Sequence, residues 1–391
     1  MSTHRRSLAT AIALGTAAVL AVTGCSTTNK TASAPGGDPG AAGQVAVGNA
    51  GPLSAAAAMA SVCGDKPVKV GLVDGLGTNS WSKIVRAEIE DEARKCPAIS
   101  GVEYVAGRGD LQSTLAGITS MASKGVNVLL VIPDAGPGPA HLSALRAAAN
   151  AGVTVLPIAA DPQGKPGSDY FDYVDWDTPY LGEVWAKWMI DRLGPDGGNI
   201  VMLGGPAGNP VSQAHLSGIK KVLAGAPQVK LLTDEPVTTN WDPAMEQQAM
   251  SGLLAKYPKI DGVISDYGAA ATGVLRAYQS AGRPLVPIAT TDDNELSCGF
   301  TALKAKNGGY ELATVSSRTW IGRVALRKGV AVVNGKADAE PSRLQLDLFE
   351  DSTGGAGGAV TPDKACKADL PNDAPPSSQL DTAQLATLFQ G

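Results

Sequence analysis

Short apolar runs alternate with amphipathic, charge-bearing segments along most of this chain. The first run opens Val68–Trp81 (VKVGLVDGLGTNSW), where a valine-rich stretch leads into a loop containing Gly75 and Gly77. Val126–Ile132 and Val153–Ile158 are further apolar runs, each followed by a polar segment. Continuous apolar runs of this kind predict strands that are buried on both faces. Strands that alternate with helical segments predict a parallel α/β sheet.

The same alternation restarts after a polar break at Asp161–Asp169. Asp110 and Asp242 each precede a helical pattern and therefore predict helix N-caps. The 391 residues fit two domains of roughly 100–200 residues each. We therefore predict an α/β fold with two Rossmann-like lobes. The strands predicted in the second half of the chain are Tyr170–Val174, Asn199–Leu203, Val229–Leu232, Gly262–Ser265, Leu285–Thr290 and Leu312–Ser316.

The turns at the predicted strand ends repeatedly carry Asn, Asp and Trp. In open α/β sheets, ligands bind outside the carboxyl ends of the strands, and two lobes with such loops predict a ligand cleft between them. Trp81 and Trp241 each follow a strand-end turn, which predicts a role in binding. Trp185 and Trp188 share an apolar helical stripe and are predicted to pack. The pattern leaves the roles of Trp176, His215 and Trp320 open.

The amino terminus has the pattern of an export signal. Arg5 and Arg6 precede an apolar run that ends in Val22-Thr23-Gly24-Cys25, which resembles a bacterial lipobox. This resemblance implies a signal peptide over residues 1–24, lipid on Cys25 and an extracytoplasmic, membrane-anchored protein. Residues 25–62 contain much Gly, Ala, Ser, Thr and Pro, and they predict a flexible tether.

The other cysteines are an even number in a chain predicted to be exported, which indicates disulfides. Cys63, Cys96, Cys298 and Cys366 allow three connectivities. We favour Cys63–Cys96 and Cys298–Cys366, because Cys63 precedes the first strand and Cys96 follows the first helix.

Composition and motifs argue against several other functions. A net charge of −5 gives no reason to expect nucleic-acid binding. The Gly75-x-Gly77-x-x-Ser80 sequence departs from the dinucleotide fingerprint at its third position, so no cofactor is predicted. With three His and no CxxC, no metal site is predicted either. No GxSxG nucleophile motif occurs, and catalysis finds little support.

Together these segments resemble the type I, ribose-binding class of periplasmic binding proteins, the substrate-binding lipoproteins of sugar ABC transporters. The resemblance rests on the lipobox, Val68–Trp81, Lys124–Asp134, Asn240-Trp241-Asp242 and Thr290–Asp292, in that order. It implies two lobes, joined by three crossover strands, that close on a sugar. It also implies a monomer that works with an ABC permease and its ATPase.

The resemblance also implies a set of ligand-binding residues. Asn79 and Trp81 match the Asn and aromatic after the family's first strand, and Trp241 matches its second aromatic. The full predicted set is Asn79, Trp81, Asp134, Asp161, Gln213, Trp241, Asp266, Tyr267, Asp292 and Ser317. Two positions depart from the family pattern: Ala159-Ala160-Asp161 replaces an Asp-Arg pair, and Gln213 stands where an Arg is expected. Gln cannot reproduce the paired hydrogen bonds of Arg, so we expect a ligand other than ribose, such as a polyol or another small polar molecule.

These observations predict the following organisation. The first lobe comprises residues 63–160 and 285–317, the second comprises 161–284 and 318–349, and a tail comprises 350–391. The predicted function is capture of a monosaccharide or polyol for an ABC permease. The alternatives are a ligand-sensing receptor that signals to a membrane sensor and, less favoured, a lipid-anchored hydrolase.

Overall fold

The computed structural model describes residues 45–48, 59–338, 340–354 and 358–389. The signal segment and Cys25 therefore lie outside the described residues. The strands are β1 (Val45–Gly48), β2 (Val68–Asp74), β3 (Ile99–Ala106), β4 (Val128–Ile132), β5 (Thr154–Pro157), β6 (Asp175–Trp176), β7 (Gly198–Gly204), β8 (Val229–Leu231), β9 (Val237–Thr238), β10 (Gly262–Ser265), β11 (Ile288–Thr291), β12 (Leu312–Val315), β13 (Arg343–Leu346) and β14 (Glu350–Asp351).

Helices follow most of these strands. They are α1 (Met59–Val62), α2 (Ser80–Ala93), α3 (Leu111–Ser123), α4 (Leu142–Asn150), α5 (Thr178–Leu193), α6 (Pro210–Leu223), α7 (Pro243–Lys256), α8 (Gly268–Ser280), α9 (Asn294–Lys306), α10 (Ile321–Asn334), α11 (Pro362–Ala365) and α12 (Thr382–Leu388), with a 3₁₀ turn at Gly138–His141. The predicted caps are present, because Asp110 accepts from Ser113 N and Asp242 accepts from Met245 N.

The first lobe is built on a parallel sheet with the strand order β3-β2-β4-β5. The valine-rich β2 lies between β3 and β4, and all but one of its residues are buried. This burial on both faces explains why β2 reads as a continuous apolar run. The second lobe has the order β14-β12-β11-β10-β7-β8, with β9 beside the end of β7 and β14 antiparallel to β12. The predicted α/β fold with two parallel sheets is therefore confirmed.

Three segments of the described part of the chain cross between the lobes. The first (residues 158–177) follows β5 and contains β6, the second (residues 316–320) joins β12 to α10, and the third (residues 335–349) contains β13. β6 and β13 pair in parallel, with Asp175 opposite Arg343. The backbone of β1 pairs with β13 on its other side. The first and third crossing segments are thus held to each other by a ladder at the hinge.

Two segments lie in the lobe opposite to the one predicted. β11 pairs with β10, so residues 285–317 belong largely to the second lobe. Helix α10 packs on the first lobe, where Gly322 and Gly329 approach Ile89 and Val128 so closely that a Cβ would fall 2.4 Å from their side chains. The prediction exchanged these two segments because strand partners are chosen by tertiary pairing, which the local pattern does not record.

Smaller predictions also need correction. Tyr170–Val174 makes only isolated bridges, and the strand lies just beyond it at β6. Helix α9 was not predicted. The predicted tether 25–62 contains β1, and its last residues form α1, whose Met59 and Val62 are buried.

The favoured disulfide pairing, Cys63–Cys96 and Cys298–Cys366, is confirmed. The first bond fastens the segment between α1 and β2 to the segment that follows α2. The second fastens the C-terminal tail to α9 of the second lobe.

Candidate functional site

A cavity of about 50 Å³ lies between the lobes, at the carboxyl ends of their strands. Its size suits a small molecule, since a single water needs roughly 10–15 Å³. Most of the predicted site residues meet here. Those that line the cavity are Asn79, Trp81, Asp134, Trp241, Asp266, Tyr267 and Ser317.

Asn79 and Trp81 form part of the first-lobe wall. Asn79 is the N-cap of α2, where its Oδ1 accepts from Ser82 N at 2.8 Å. This capping bond uses the amide oxygen and leaves Nδ2 as the group that can donate to a ligand. Trp81 Nε1 donates to Ser317 O at 2.7 Å, which ties the indole to the second crossing segment. The ring therefore faces the cavity from a fixed position.

Trp241 forms the matching wall in the second lobe. Its backbone is left-handed, with φ of 55°, an uncommon conformation for a bulky residue. Its indole lies against Gly205, where a Cβ would fall 2.4 Å from Cε2. Trp241 Nε1 donates to Asp266 Oδ1 at 2.7 Å, and Ser212 Oγ donates to Asp266 Oδ2 at 2.5 Å. Asp266 therefore positions the indole as well as lining the cavity.

Asp134 is a buried carboxyl on the first-lobe side. Its Oδ1 accepts from Leu76 N at 3.0 Å. Burial raises the pKa of Asp134 well above its usual range, and the neighbouring Asp74 raises it further. Burial likewise raises the pKa of Asp74 to about 6. A carboxyl that keeps its proton both donates and accepts, so Asp134 can pair with a hydroxyl in either sense.

His215 and Trp176, whose roles the sequence left open, both line the cavity. The His215 ring lies 4.8 Å from the Trp185 ring and 5.7 Å from the Trp176 ring. Burial lowers the pKa of His215, against the opposing effect of Asp266, whose Oδ2 lies 3.6 Å from Nδ1. His215 is therefore a neutral imidazole in an aromatic corner. Trp320 is buried and lies outside the cavity lining.

Arg318 was missing from the predicted set, although it follows Ser317 directly. Its guanidinium stacks on Trp176, with Cζ 3.7 Å from the ring centroid. Its position at the end of a strand, next to a predicted contact, was the signal that could have identified it. The cavity thus contains an arginine, supplied by the second crossing segment.

Three predicted residues lie elsewhere. Gln213 donates to Glu235 Oε2 at 2.7 Å on an exposed part of α6. Asp161 accepts from Gln163 N within its own turn. Asp292 uses Oδ1 for Ser317 N and Oγ, and Oδ2 for Ser377 N. Its carboxylate therefore joins the second crossing segment to the tail behind the cavity wall.

The rest of the described chain adds two findings. No group of three or more His, Cys, Asp or Glu side chains in it is arranged to hold a metal ion. None of its helices combines the length and the apolar character needed to cross a membrane.

A family profile described as "Periplasmic binding protein domain" matches residues 70–337. A xylitol-binding protein of Mycolicibacterium smegmatis is 29% identical over 236 residues, which are 59% of this chain and 62% of that protein. A D-allose-binding periplasmic protein of Escherichia coli is 25% identical over 199 residues, or 50% of this chain and 63% of that protein. This chain thus spans somewhat less than two thirds of the length of these relatives.

Solved structures share the fold. An ABC transporter solute-binding protein from Mycobacterium smegmatis, with bound glycerol, superposes with a TM-score of 0.60 at 21% identity. The match covers 72% of this chain and 92% of that one. At this level of identity the likeness establishes the architecture alone.

Proposed function

Because this chain belongs to the periplasmic binding protein family, we propose that it is an extracytoplasmic receptor that captures a monosaccharide or polyol between its lobes. The observation that carries the proposal is the cavity itself. Indoles from both lobes and polar groups from both lobes converge on one small space.

The chemistry of the lining favours a neutral polyhydroxylated ligand. Sugars and polyols present C–H patches to aromatic rings and hydroxyls to polar groups. Trp81 and Trp241 offer the first kind of surface, one from each lobe. Asn79, Asp134 and Arg318 offer donors and acceptors of the second kind. The xylitol-binding and D-allose-binding relatives, and the glycerol-bound structure, point to the same ligand class.

Contacts between the lobes support a binding cycle of opening and closing. Asn209 Nδ2 of the second lobe donates to Asp134 O of the first at 3.1 Å. Neither lobe alone surrounds the cavity, so ligand that touches both favours the closed form. An ABC permease with its ATPase can then recognise the closed receptor, which acts as a monomer. Cys25 is its lipid anchor on the outer face of the membrane.

The polar cluster in the second lobe supports binding rather than hydrolysis. Ser212 donates to Asp266, and the imidazole of His215 faces the same carboxylate oxygen. A nucleophilic serine would need His215 as its own partner, with the carboxylate behind the imidazole. Here the carboxylate lies between the other two groups. The arrangement therefore lacks an activated nucleophile.

A ligand panel tests the function. Xylitol, D-xylose, D-allose, D-ribose, myo-inositol and glycerol would be added to the purified chain in a thermal-shift assay, followed by calorimetry. Ligand at a hundredfold excess over its Kd stabilises the folded state by about 2.7 kcal/mol, so at least one member should raise Tm. Sodium chloride at matched osmolarity is the control. If every member leaves Tm and the calorimetric heat unchanged, the proposal is wrong.

A further inference from the structure

Arg318 occupies an unusual backbone position at the hinge. Its φ is 50°, in the left-handed region that residues with side chains seldom adopt. Such a conformation persists where the surroundings over-determine it. Here it lies on the second crossing segment and turns the side chain toward the cavity and the first crossing segment.

The guanidinium is fixed on one edge. Arg318 Nε donates to Asp175 Oδ1 at 2.7 Å, and Nη2 donates to Ala159 O at 2.8 Å. Both acceptors belong to the first crossing segment, and the plane of the group stacks on Trp176. The residue is 7% exposed. Little side-chain freedom remains to be lost when a ligand arrives.

The other edge belongs to a residue that lines the cavity. The hydrogen bonds that the guanidinium donates to described residues use Nε and Nη2, and none uses Nη1. Two buried groups in the cavity wall also lack a described partner within hydrogen-bond distance, Trp176 Nε1 and His215 Nε2. Unpaired buried polar groups are costly. Their concentration at this end of the cavity indicates that a polar group of the ligand completes them.

We propose that Arg318 is the specificity-determining residue of the cavity, and that its free edge donates to one particular hydroxyl of the bound sugar or polyol. The inference rests on the proposed function and deepens it. A ligand without an oxygen at this end leaves Arg318, Trp176 and His215 unpaired and is rejected. Sites built to hydrogen-bond a hydroxyl discriminate strongly against the analogue that lacks it.

The same contact couples ligand binding to the hinge. Arg318 belongs to the second crossing segment, whereas Asp175 and Ala159 belong to the first. Asp175 lies in β6, which pairs with β13 of the third crossing segment. A ligand hydroxyl on Arg318 is therefore connected to every crossing segment through hydrogen bonds. Binding at this point favours the one relative position of these segments in which the guanidinium is fully paired.

The test compares hydroxyls one at a time. Calorimetry would measure the panel given above and the monodeoxy analogues of each member that binds, against the wild type, Arg318→Lys and Arg343→Lys. Arg343 is the matched control, because it also lies at the hinge and stacks on an aromatic ring, Tyr173, but it lies outside the cavity. Lysine keeps the charge that Asp175 requires but loses the planar second edge.

We expect the wild type to bind one monodeoxy analogue about 10- to 100-fold more weakly than its parent. Arg318→Lys should weaken the parent by a similar factor and bind that analogue within about threefold of the parent. Arg343→Lys should keep the wild-type pattern. A merely structural role for Arg318 would weaken all ligands alike and preserve the discrimination.

Several outcomes would overturn the inference. It fails if no single hydroxyl matters to the wild type, or if Arg318→Lys retains the full discrimination. If the wild type binds no panel member, both the proposed function and this inference fail. If the wild type binds a panel member but one of the two results above is found, only this inference fails. Should Arg318→Lys not fold, the double variant Arg318→Gln with Asp175→Asn removes both charges of the pair and must show the same loss of discrimination.

Discussion

The hydroxyl oxygen of Tyr267 lies 2.8 Å from that of Ser80, and this hydrogen bond joins the two lobes across the cleft. Ser80 opens α2 in the first lobe, and Tyr267 is the N-cap residue of α8 in the second. Both lie shortly after the carboxyl end of a strand, Ser80 after β2 and Tyr267 after β10. The bond can exist only when the lobes are close, so it stabilises the closed form and must break for ligand to leave.

Tyr267→Phe removes this bond and keeps the ring that lines the cavity. Because a hydrogen bond contributes about 0.5–1.5 kcal/mol, we expect about 3- to 10-fold faster dissociation of any panel sugar that binds. Stopped-flow fluorescence would measure the rate. Tyr310→Phe is the control, since that hydroxyl is buried in the second lobe without a described partner. Equal dissociation rates in Tyr267→Phe and the wild type would show that the bond has no part in closure.

Trp241→Ala tests the aromatic wall of the second lobe. Burying an aromatic side chain against an apolar surface contributes roughly 1.5–3 kcal/mol, so we expect affinity to fall on the order of ten- to a hundredfold. The fold should survive, because Trp241 is only partly buried. Trp241→Phe keeps a ring but loses the bond to Asp266, and it should bind with intermediate affinity. If calorimetry gives Trp241→Ala the same affinity as the wild type, Trp241 is a packing residue and does not bind the ligand.

Cys25→Ala tests the proposed anchor, which lies outside the described residues. The Val22-Thr23-Gly24-Cys25 sequence predicts cleavage before Cys25 and lipid on its sulfur. The variant should remain unprocessed or leave the membrane fraction. Fractionation and intact mass would measure both effects in the native host. Wild-type mass and membrane association in the variant would contradict the anchor.

Glu350→Gln tests a buried carboxyl in the second lobe. Burial raises the pKa of Glu350 from 4.5 to about 8, although the hydrogen bonds from Thr314 and Ser297 lower it in part. A raised carboxyl pKa contributes stability that is present below pH 4.5 and lost as the pH rises through about 8. The glutamine variant lacks this titration. Its free energy of unfolding should match the wild type near pH 4.5 and exceed it by about 1–3 kcal/mol at pH 8. Denaturant unfolding across that range would show it, and a constant difference at all pH values would contradict the assignment.

The sequence predicted what depends on local pattern. The burial of β2, the caps at Asp110 and Asp242, and the approach of Trp81 and Trp241 to one cleft all follow from residues near in sequence. Helix α9 was not predicted because its apolar stripe is weak: Leu296, Phe300 and Leu303 are separated by small and charged residues.

What the sequence could not predict depends on direction and tertiary pairing. Gln213 lies on a helix of the correct lobe, but its side chain points to Glu235. Asp292 lies at the correct strand end, but backbone N–H groups of other segments occupy its oxygens. Arg318 supplies a guanidinium from a crossing segment, because its left-handed backbone turns it inward. The direction in which a side chain points cannot be inferred from its residue type alone.

The tail forms a further connection across the hinge. Ser377 N donates to Asp292 Oδ2 of the second lobe at 2.7 Å, whereas the next residue, Ser378, donates through Oγ to Glu88 Oε1 of the first lobe at 2.8 Å. Before this point, the Cys366 disulfide holds the tail to α9. After it, Leu380 and Leu385 pack with Ile84 of α2 in one apolar cluster. Neighbouring residues of the tail are therefore bound to different lobes.

Removal of the tail after Ser377 should loosen the first lobe selectively. The truncation exposes Ile84 and takes from the buried Glu88 the donors Ser378 Oγ and Gln379 N. Lost apolar burial and an underpaired carboxylate should together lower the free energy of unfolding by about 2–4 kcal/mol. Hydrogen–deuterium exchange should rise in α2 while α9, which keeps its disulfide, stays protected. A chain that ends at Phe389 is the matched control, because it retains every one of these contacts. If the shorter chain exchanges and unfolds like this control, the tail does not stabilise the first lobe.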